Sequence, residues 1–187
     1  HNIAQKTAIM IEHFREVTKK QIGGKAKAMV VTSSRLHAVR YLNEFKRYIK
    51  AHGYEDLDVL VAFSGEVIDD GEPYTEEKMN GIKESQLKAT FHGDEYHMLI
   101  VAEKYQTGFD EPLLHTMFVD KKLSGVKAVQ TLSRLNRTTR GKDSTFVLDF
   151  VNSAEDIQKS FEPYYEATVL EQATDPNVLY DLKNTLD

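Results

Sequence analysis

Apolar positions follow two different spacings along this chain. From Asn2 to about Lys20 they fall at Ile3, Ile9, Met10, Phe14 and Val17, roughly helical spacing, and Gly23-Gly24 is expected to end that segment. Ala28-Met-Val-Val31 follows as a continuous apolar run, which predicts a strand buried on both faces. Ser33 or Ser34 then caps a predicted helix carrying Leu36, Val39, Tyr41, Leu42, Phe45 and Ile49, and Gly53 closes it. Further strands are predicted at Leu57–Ala62, His97–Ala102, Thr116–Val119 and Thr145–Phe150. Phe63–Thr75 reads as a polar loop with a short insertion, because it holds Ser64-Gly65, Asp69-Asp70-Gly71-Glu72 and Pro73. Glu76 to about Phe91 and Val126 to about Asn136 read as helices. Strands alternating with helices predict an α/β fold, a parallel sheet flanked by helices with right-handed crossovers.

The pattern changes after Phe150. Ala154 to about Leu170 reads as an amphipathic helix with Tyr164 and Tyr165, and Asp175-Pro176 opens another carrying Val178, Leu179, Leu182 and Leu186. The expected division is a leading helix and linker over residues 1–24, an α/β domain over 25–152, and a helical extension over 153–187 that leads to a next domain. The chain begins at His1 and is already helical in pattern there, as expected of a fragment of a longer protein.

Composition narrows the possibilities. The 187 residues suit one domain with appendages, and 41% apolar residues supply a core. A net charge of −5 argues against holding nucleic acid by bulk charge but leaves room for a local basic strip. With no cysteine, disulfides and thiolate metal sites are excluded. The apolar runs are too short to span a bilayer and no signal peptide is visible, so a cytoplasmic location and no membrane partner are expected.

Three stretches carry candidate chemistry. Gln130-Thr-Leu-Ser-Arg134-Leu-Asn-Arg137 sets two arginines three residues apart, on one face of the predicted helix. Adjacent guanidiniums repel, so they need an anion or acidic partners, and their planar fork fits phosphate. In phosphoryl transfer such an arginine neutralises developing charge, worth roughly 10³–10⁵ in rate; the plain alternative is a solvated face paired to acids. Gln106-Thr-Gly108-Phe-Asp110-Glu-Pro112 follows the third strand. Gly108 lets backbone approach a ligand, and Asp110 suits a ribose hydroxyl or a neighbouring arginine; the alternative is an ordinary turn with an Asp cap. Ser33-Ser34-Arg35 stands at the carboxyl end of the first strand, where open α/β sheets place ligands, and its hydroxyls, helix amides and guanidinium suit a phosphate. There the alternative is a simple helix cap. Gly23-Gly24-Lys25-Ala26 fails as a phosphate loop, because Lys19 and Ala26 stand where Gly and Ser or Thr are needed. Neither the histidines nor Asp69–Glu72 has metal-ligand spacing.

Taken together, Lys27-Ala-Met-Val-Val-Thr-Ser-Ser-Arg35, Gln106–His115, Val119-Asp-Lys-Lys-Leu-Ser-Gly125 and Ala128–Arg137 resemble the second RecA-like domain of superfamily 2 helicases and translocases. The closer resemblance is to the motor region of the R (restriction) subunit of type I restriction-modification enzymes. It covers roughly Lys27 to Phe150. It implies that Arg137 is the arginine finger of the sixth motif, with Arg134 its companion and Gln130 the motif's first residue. It places Gly108 and Asp110 in the fifth motif, facing nucleotide, and Ser34 and Arg35 in the fourth, near the DNA backbone. Ser133 and Glu103 depart from the pattern: many relatives have Gly and Thr there, so Glu103 is not assigned to DNA. The resemblance further implies an ATP-dependent double-stranded DNA translocase coupled to a separate nuclease domain. ATP and Mg²⁺ would be bound mainly by a first motor domain in the same chain, and methyltransferase and specificity subunits would be partners. This chain alone would hold half a catalytic site and hydrolyse no ATP. Two alternatives are an RNA helicase domain of the same superfamily, disfavoured by Val119–Gly125, and a non-catalytic interaction module whose arginines bind acidic surfaces. The discriminating feature is whether Arg134 and Arg137 lie at an open edge of the sheet beside Asp110.

Overall fold

The structure, a computed structural model, describes residues 2–105 and 109–171, with side chains of the last helix described through residue 164. Gly108, with Gln106 and Thr107, and the helix expected from Asp175 therefore lie outside the described residues.

The first helix, α1 (Ile3–Glu16), starts at a capping box: the Asn2 side chain accepts from Gln5 N at 2.8 Å, and Gln5 Oε1 accepts from Asn2 N at 3.1 Å. It buries Thr7, Met10, Ile11 and Phe14. Ile9 and Val17, expected on that face, are 38% and 40% exposed. Ile9 is one step, about 100°, from Met10, and Val17 lies past the helix end. Gly23-Gly24 does not terminate α1. Both have positive φ in a one-turn 3-10 segment, Ile22–Gly24, that feeds β1 (Lys27–Thr32).

Ser34 caps α2 (Arg35–His52), accepting from His37 N at 3.1 Å, and Gly53 closes it in the left-handed region at φ 67°. β2 (Val59–Ala62) leads into β3 (Glu66–Asp69) and β4 (Glu72–Thr75), an antiparallel hairpin where the sequence reading expected a polar loop. Asp70 and Gly71, at φ 50° and 79°, turn it in the manner of Asp-Gly hairpins. The predicted helix from Glu76 to Phe91 is instead α3 (Glu76–Asn80), a break at Gly81 (φ 71°), and α4 (Leu87–His92). Asn80 uses the break: its side chain donates to Val61 O at 2.7 Å and accepts from Val61 N at 2.9 Å, covering the open edge of β2.

The chain continues through β5 (Met98–Val101), β6 (Leu114–Asp120), α5 (Gly125–Leu132), a 3-10 turn at Ser133–Asn136, β7 (Phe146–Asp149) and α6 (Ala154–Glu171). The main sheet has the order β2-β5-β1-β6-β7 with every pairing parallel. Alternate residues face opposite layers, which is why the middles of β1, β2 and β5 are continuous apolar runs. Ala28, Val30, Val61 and Ile100 pack under α1 and α2 against Phe14, Leu42 and Phe45. Met29, Leu60, Leu99 and Met117 pack on the other face against Leu87, Phe91, Leu132, Ile157 and Phe161 of α4, α5 and α6. The expected parallel sheet flanked by helices, followed by a further helix, is the fold observed. In this topology α5 returns the chain from the carboxyl end of β6 to the amino end of β7. The Ser133–Asn136 turn thereby comes to lie near the loop that precedes β6.

Candidate arginine site at the amino end of the sheet

Phe109 anchors the loop before β6. Its ring is buried, 5.0 Å from Tyr105 in a stacked arrangement and 6.2 Å from Phe91. With Phe109 turned inward, the next residue, Asp110, points outward, and its side chain is 69% exposed. Arg137 Nε meets Asp110 Oδ1 at 3.1 Å, and the Arg137 side chain is 56% exposed. The structure thus brings Arg137 and Asp110 together at an open end of the sheet.

Arg134 is placed differently. It is only 7% exposed, and its Nη1 lies 3.4 Å from Met29 Sδ, a weak acceptor. Nε and Nη2 are buried with no hydrogen-bond partner among the described residues. Burial pushes its pKa down to about 10. The two arginines therefore do not share a helix face as the spacing suggested. α5 tightens into the 3-10 turn at Ser133, and Arg137 follows it with extended backbone (φ −68°, ψ 132°), so continuous α-helical i/i+3 geometry never forms. Gln130 is exposed on α5 while Arg134 is buried, so these two do not share a face either.

The sequence reading missed the groups that brace this corner. The Lys142 ammonium donates to Leu135 O at 2.8 Å and Arg137 O at 2.6 Å, and burial pushes its pKa down to about 8 against the opposing pull of Glu111. Glu111 is buried; its carboxylate contacts His92 Nδ1 at 2.7 and 3.0 Å and accepts from Leu113 N at 3.2 Å. His115 is buried between Thr116 Oγ1 at 2.7 Å and Ser144 Oγ at 3.4 Å, with its pKa lowered by burial to about 4. The contacts of Lys142 are to backbone carbonyls and leave no periodic trace.

Ser34 and Arg35 lie at the other end of β1. A six-residue strand at about 3.3 Å per residue separates the two ends by about 20 Å. Ser34 Oγ is engaged as the α2 cap and also contacts His37 Nδ1 at 2.8 Å. Arg35 is exposed and donates one Nη1 bond to Ser64 O at 2.8 Å. A Cβ at Gly65 (φ 75°) would sit 2.9 Å from that same Nη1, so glycine there keeps the guanidinium in place. Glu103 is exposed with φ 55°. Next to it, Lys104 bridges the buried Glu76 at 2.7 Å and Glu84 at 2.9 Å.

Known proteins are similar to this chain in sequence and in fold. Residues 70–152 match the family model for type I restriction enzyme subunit R domain 3. A Methanocaldococcus jannaschii protein named as a type I restriction enzyme MjaIXP endonuclease subunit is 29% identical over 92% of this chain and 16% of its own length. The chain spans about one sixth of the curated relatives it matches, at 16% and 18% of their lengths. Among solved structures, the fragment of an HsdR subunit of a type I restriction enzyme from Vibrio vulnificus YJ016 aligns over 95% of this chain and 30% of its own, with TM-score 0.54 and 14% identity. The Mss116p DEAD-box helicase domain 2 aligns over 100% of this chain and 82% of its own, with TM-score 0.50 and 18% identity. By sequence this chain is similar to R subunits of type I restriction enzymes, most directly over residues 70–152, and its parallel five-stranded sheet flanked by helices is similar to RecA-like helicase domains.

Proposed function

We propose that this chain is the second motor domain of an ATP-dependent double-stranded DNA translocase within a type I restriction endonuclease R subunit. It supplies Arg137 to a nucleotide bound mainly by a first motor domain of the same polypeptide. The observation that carries this reading is the pairing of an exposed Arg137 on Asp110 with a buried Arg134 whose Nε and Nη2 lack partners among the described residues. A solvated surface arginine resting on an acid accounts for Arg137 alone. It does not account for a second guanidinium kept out of water, an arrangement that costs stability unless an anion meets it.

The residues present fit a polyphosphate. The ion pair between Arg137 and Asp110 is exposed on both sides, so it is worth at most about 1 kcal/mol. Arg137 therefore leaves Asp110 at little cost when a phosphoryl oxygen comes within reach. Asp110 holds the guanidinium in place until then, and the nucleotide-binding role of Gly108 and Gln130 belongs to this reading as what the resemblance implies. When bound, ATP supplies the phosphoryl group, and Mg²⁺, assigned to the first motor domain, screens its charge. Arg137 would donate N–H bonds to the oxygens that gain charge, and Arg134 would add to the positive potential there. Arg35, with the Ser34 cap, holds the DNA backbone at the opposite end of the sheet. Separating the two sites by a rigid strand lets nucleotide-driven closure move the DNA contact. The division into residues 1–24, 25–152 and 153–187 belongs to this reading, as do the methyltransferase and specificity subunits as partners and a cytoplasmic setting. Among the described residues, no helix is long and apolar enough to cross a membrane.

Steady-state turnover of the full-length subunit tests the proposal. Arg137→Ala should lower DNA-stimulated kcat by roughly 10³ or more with ATP affinity largely retained. Arg137→Lys should restore little, because a point charge does not replace a fork. Near-normal turnover in Arg137→Ala contradicts the assignment.

A further inference from the structure

We propose that Lys142 is a positioning residue for Arg137: by gripping the carbonyl oxygens of Leu135 and Arg137 with one ammonium, it fixes the backbone from which the Arg137 side chain reaches out. This inference rests on the finger reading above and extends it to a residue outside the sixth-motif stretch.

The geometry is specific. The 3-10 turn at Ser133–Asn136 ends with carbonyls that have no following helical turn to bond them. The chain then doubles back: Lys142 N donates to Thr139 O at 3.2 Å, and Gly141 takes φ 86°. A Cβ at Gly141 would stand 3.9 Å from Ile22 Cα, so the return loop lies against the segment that precedes β1. That reversal carries the Lys142 side chain under the turn, where Nζ meets Leu135 O at 2.8 Å and Arg137 O at 2.6 Å. One bond holds the last part of the turn and the other holds the peptide of Arg137 itself. A cation at this carbonyl-rich end is also favoured by the turn's dipole.

The groups facing Lys142 make the grip sensitive to pH. Glu111, on the loop before β6, favours the ammonium, while burial opposes it; His115 on β6 feels the ammonium as a repelling charge, and His92 sits on Glu111 from α4. Arg137, Arg140 and Asp143 belong to the same loop as Lys142. With its pKa near 8, Lys142 is charged at neutral pH and loses its charge just above, weakening both bonds.

The test uses the full-length subunit and follows DNA-stimulated ATP turnover from pH 6.5 to 9.5 in wild type, Lys142→Met, Lys142→Arg and Arg137→Ala. Misplacing a catalytic group by about 1 Å costs up to about 100-fold, so Lys142→Met should lower kcat by about 10- to 100-fold with KM for ATP within about twofold. Wild type should lose kcat with a midpoint near pH 8. Lys142→Arg should regain most activity and lack that alkaline loss, because guanidinium does not titrate there. If Arg137→Ala abolishes turnover while Lys142→Met keeps kcat within twofold of wild type, this inference falls and the finger reading stands. If Arg137→Ala turns over normally, both fall. Should Lys142→Met fail to fold, the Lys142→Arg profile decides: an alkaline midpoint unchanged from wild type overturns the positioning role.

Discussion

Replacing Arg134 by methionine should make this chain more stable while removing turnover from the full-length subunit. Arg134 is 7% exposed, and two of its nitrogens lack partners among the described residues. Burial holds its pKa near 10. The gap from the ordinary guanidinium value, at about 1.36 kcal/mol per pH unit, corresponds to a penalty of about 3 kcal/mol on the charged form. Both the folded and the unfolded values lie well above pH 8. The guanidinium is therefore charged in both states from pH 6 to 8, and the penalty is constant there. It is relieved only as pH rises through the folded value near 10. Methionine keeps an unbranched apolar stem of similar length, so most packing against Met29 survives, and the weak Nη1–Sδ contact is the main loss. The net gain should be about 1–3 kcal/mol. At about 2–4 °C per kcal/mol for a domain of this size, the midpoint of thermal unfolding should rise by roughly 2–12 °C. Urea unfolding at pH 7 with unchanged m-value gives the free energy directly. A loss of more than about 1 kcal/mol would show that the guanidinium is satisfied in the folded chain, and the case for a waiting anion site would fail.

Two other outcomes follow from named groups. His115 has a folded pKa of about 4 against an ordinary value near 6.5, so the unfolded chain binds a proton that the folded chain refuses; stability should fall by up to about 3 kcal/mol as pH drops through that window. Urea unfolding at pH 7 and 4.5 checks this, and His115→Gln should flatten the dependence; an equal slope in both proteins would contradict it. Arg35→Ala should weaken duplex DNA binding and make the log–log salt dependence shallower by about 0.9, the share of one phosphate contact. A titration across salt with unchanged affinity and slope would remove Arg35 from the site.

The sheet strands were legible because parallel strands covered on both faces carry continuous apolar runs, as Ala28–Val31 and Met98–Val101 show. α2 was legible at both ends through Ser34 and Gly53. The hairpin was not, although Asp70-Gly71 is a strong turn signal, because Pro73 and four acidic residues masked the strand pattern around it. The broken helix after Thr75 was missed because Gly81 is tolerated in helical patterns, and the advantage of the break, Asn80 on the β2 edge, is a tertiary contact. In the site, the discriminating feature was both arginines beside Asp110; Arg137 meets Asp110, whereas Arg134 is buried against Met29. The burial of Arg134 was not foreseeable, since helix periodicity assumes an α-helix and the chain switches to a 3-10 turn one residue earlier. Lys142 acts through backbone carbonyls, which carry no side-chain signature.

The central claim, that Arg137 completes a nucleotide site, is tested most directly by trapping. Full-length wild-type subunit incubated with ADP, Mg²⁺ and aluminium fluoride should retain nucleotide through gel filtration, because the planar fluoride mimics the charge that Arg137 is proposed to meet in the transition state. Arg137→Ala should bind ATP with affinity within a few-fold of wild type yet fail to form the trapped complex. A mutant that traps ADP and aluminium fluoride as well as wild type does would contradict the account.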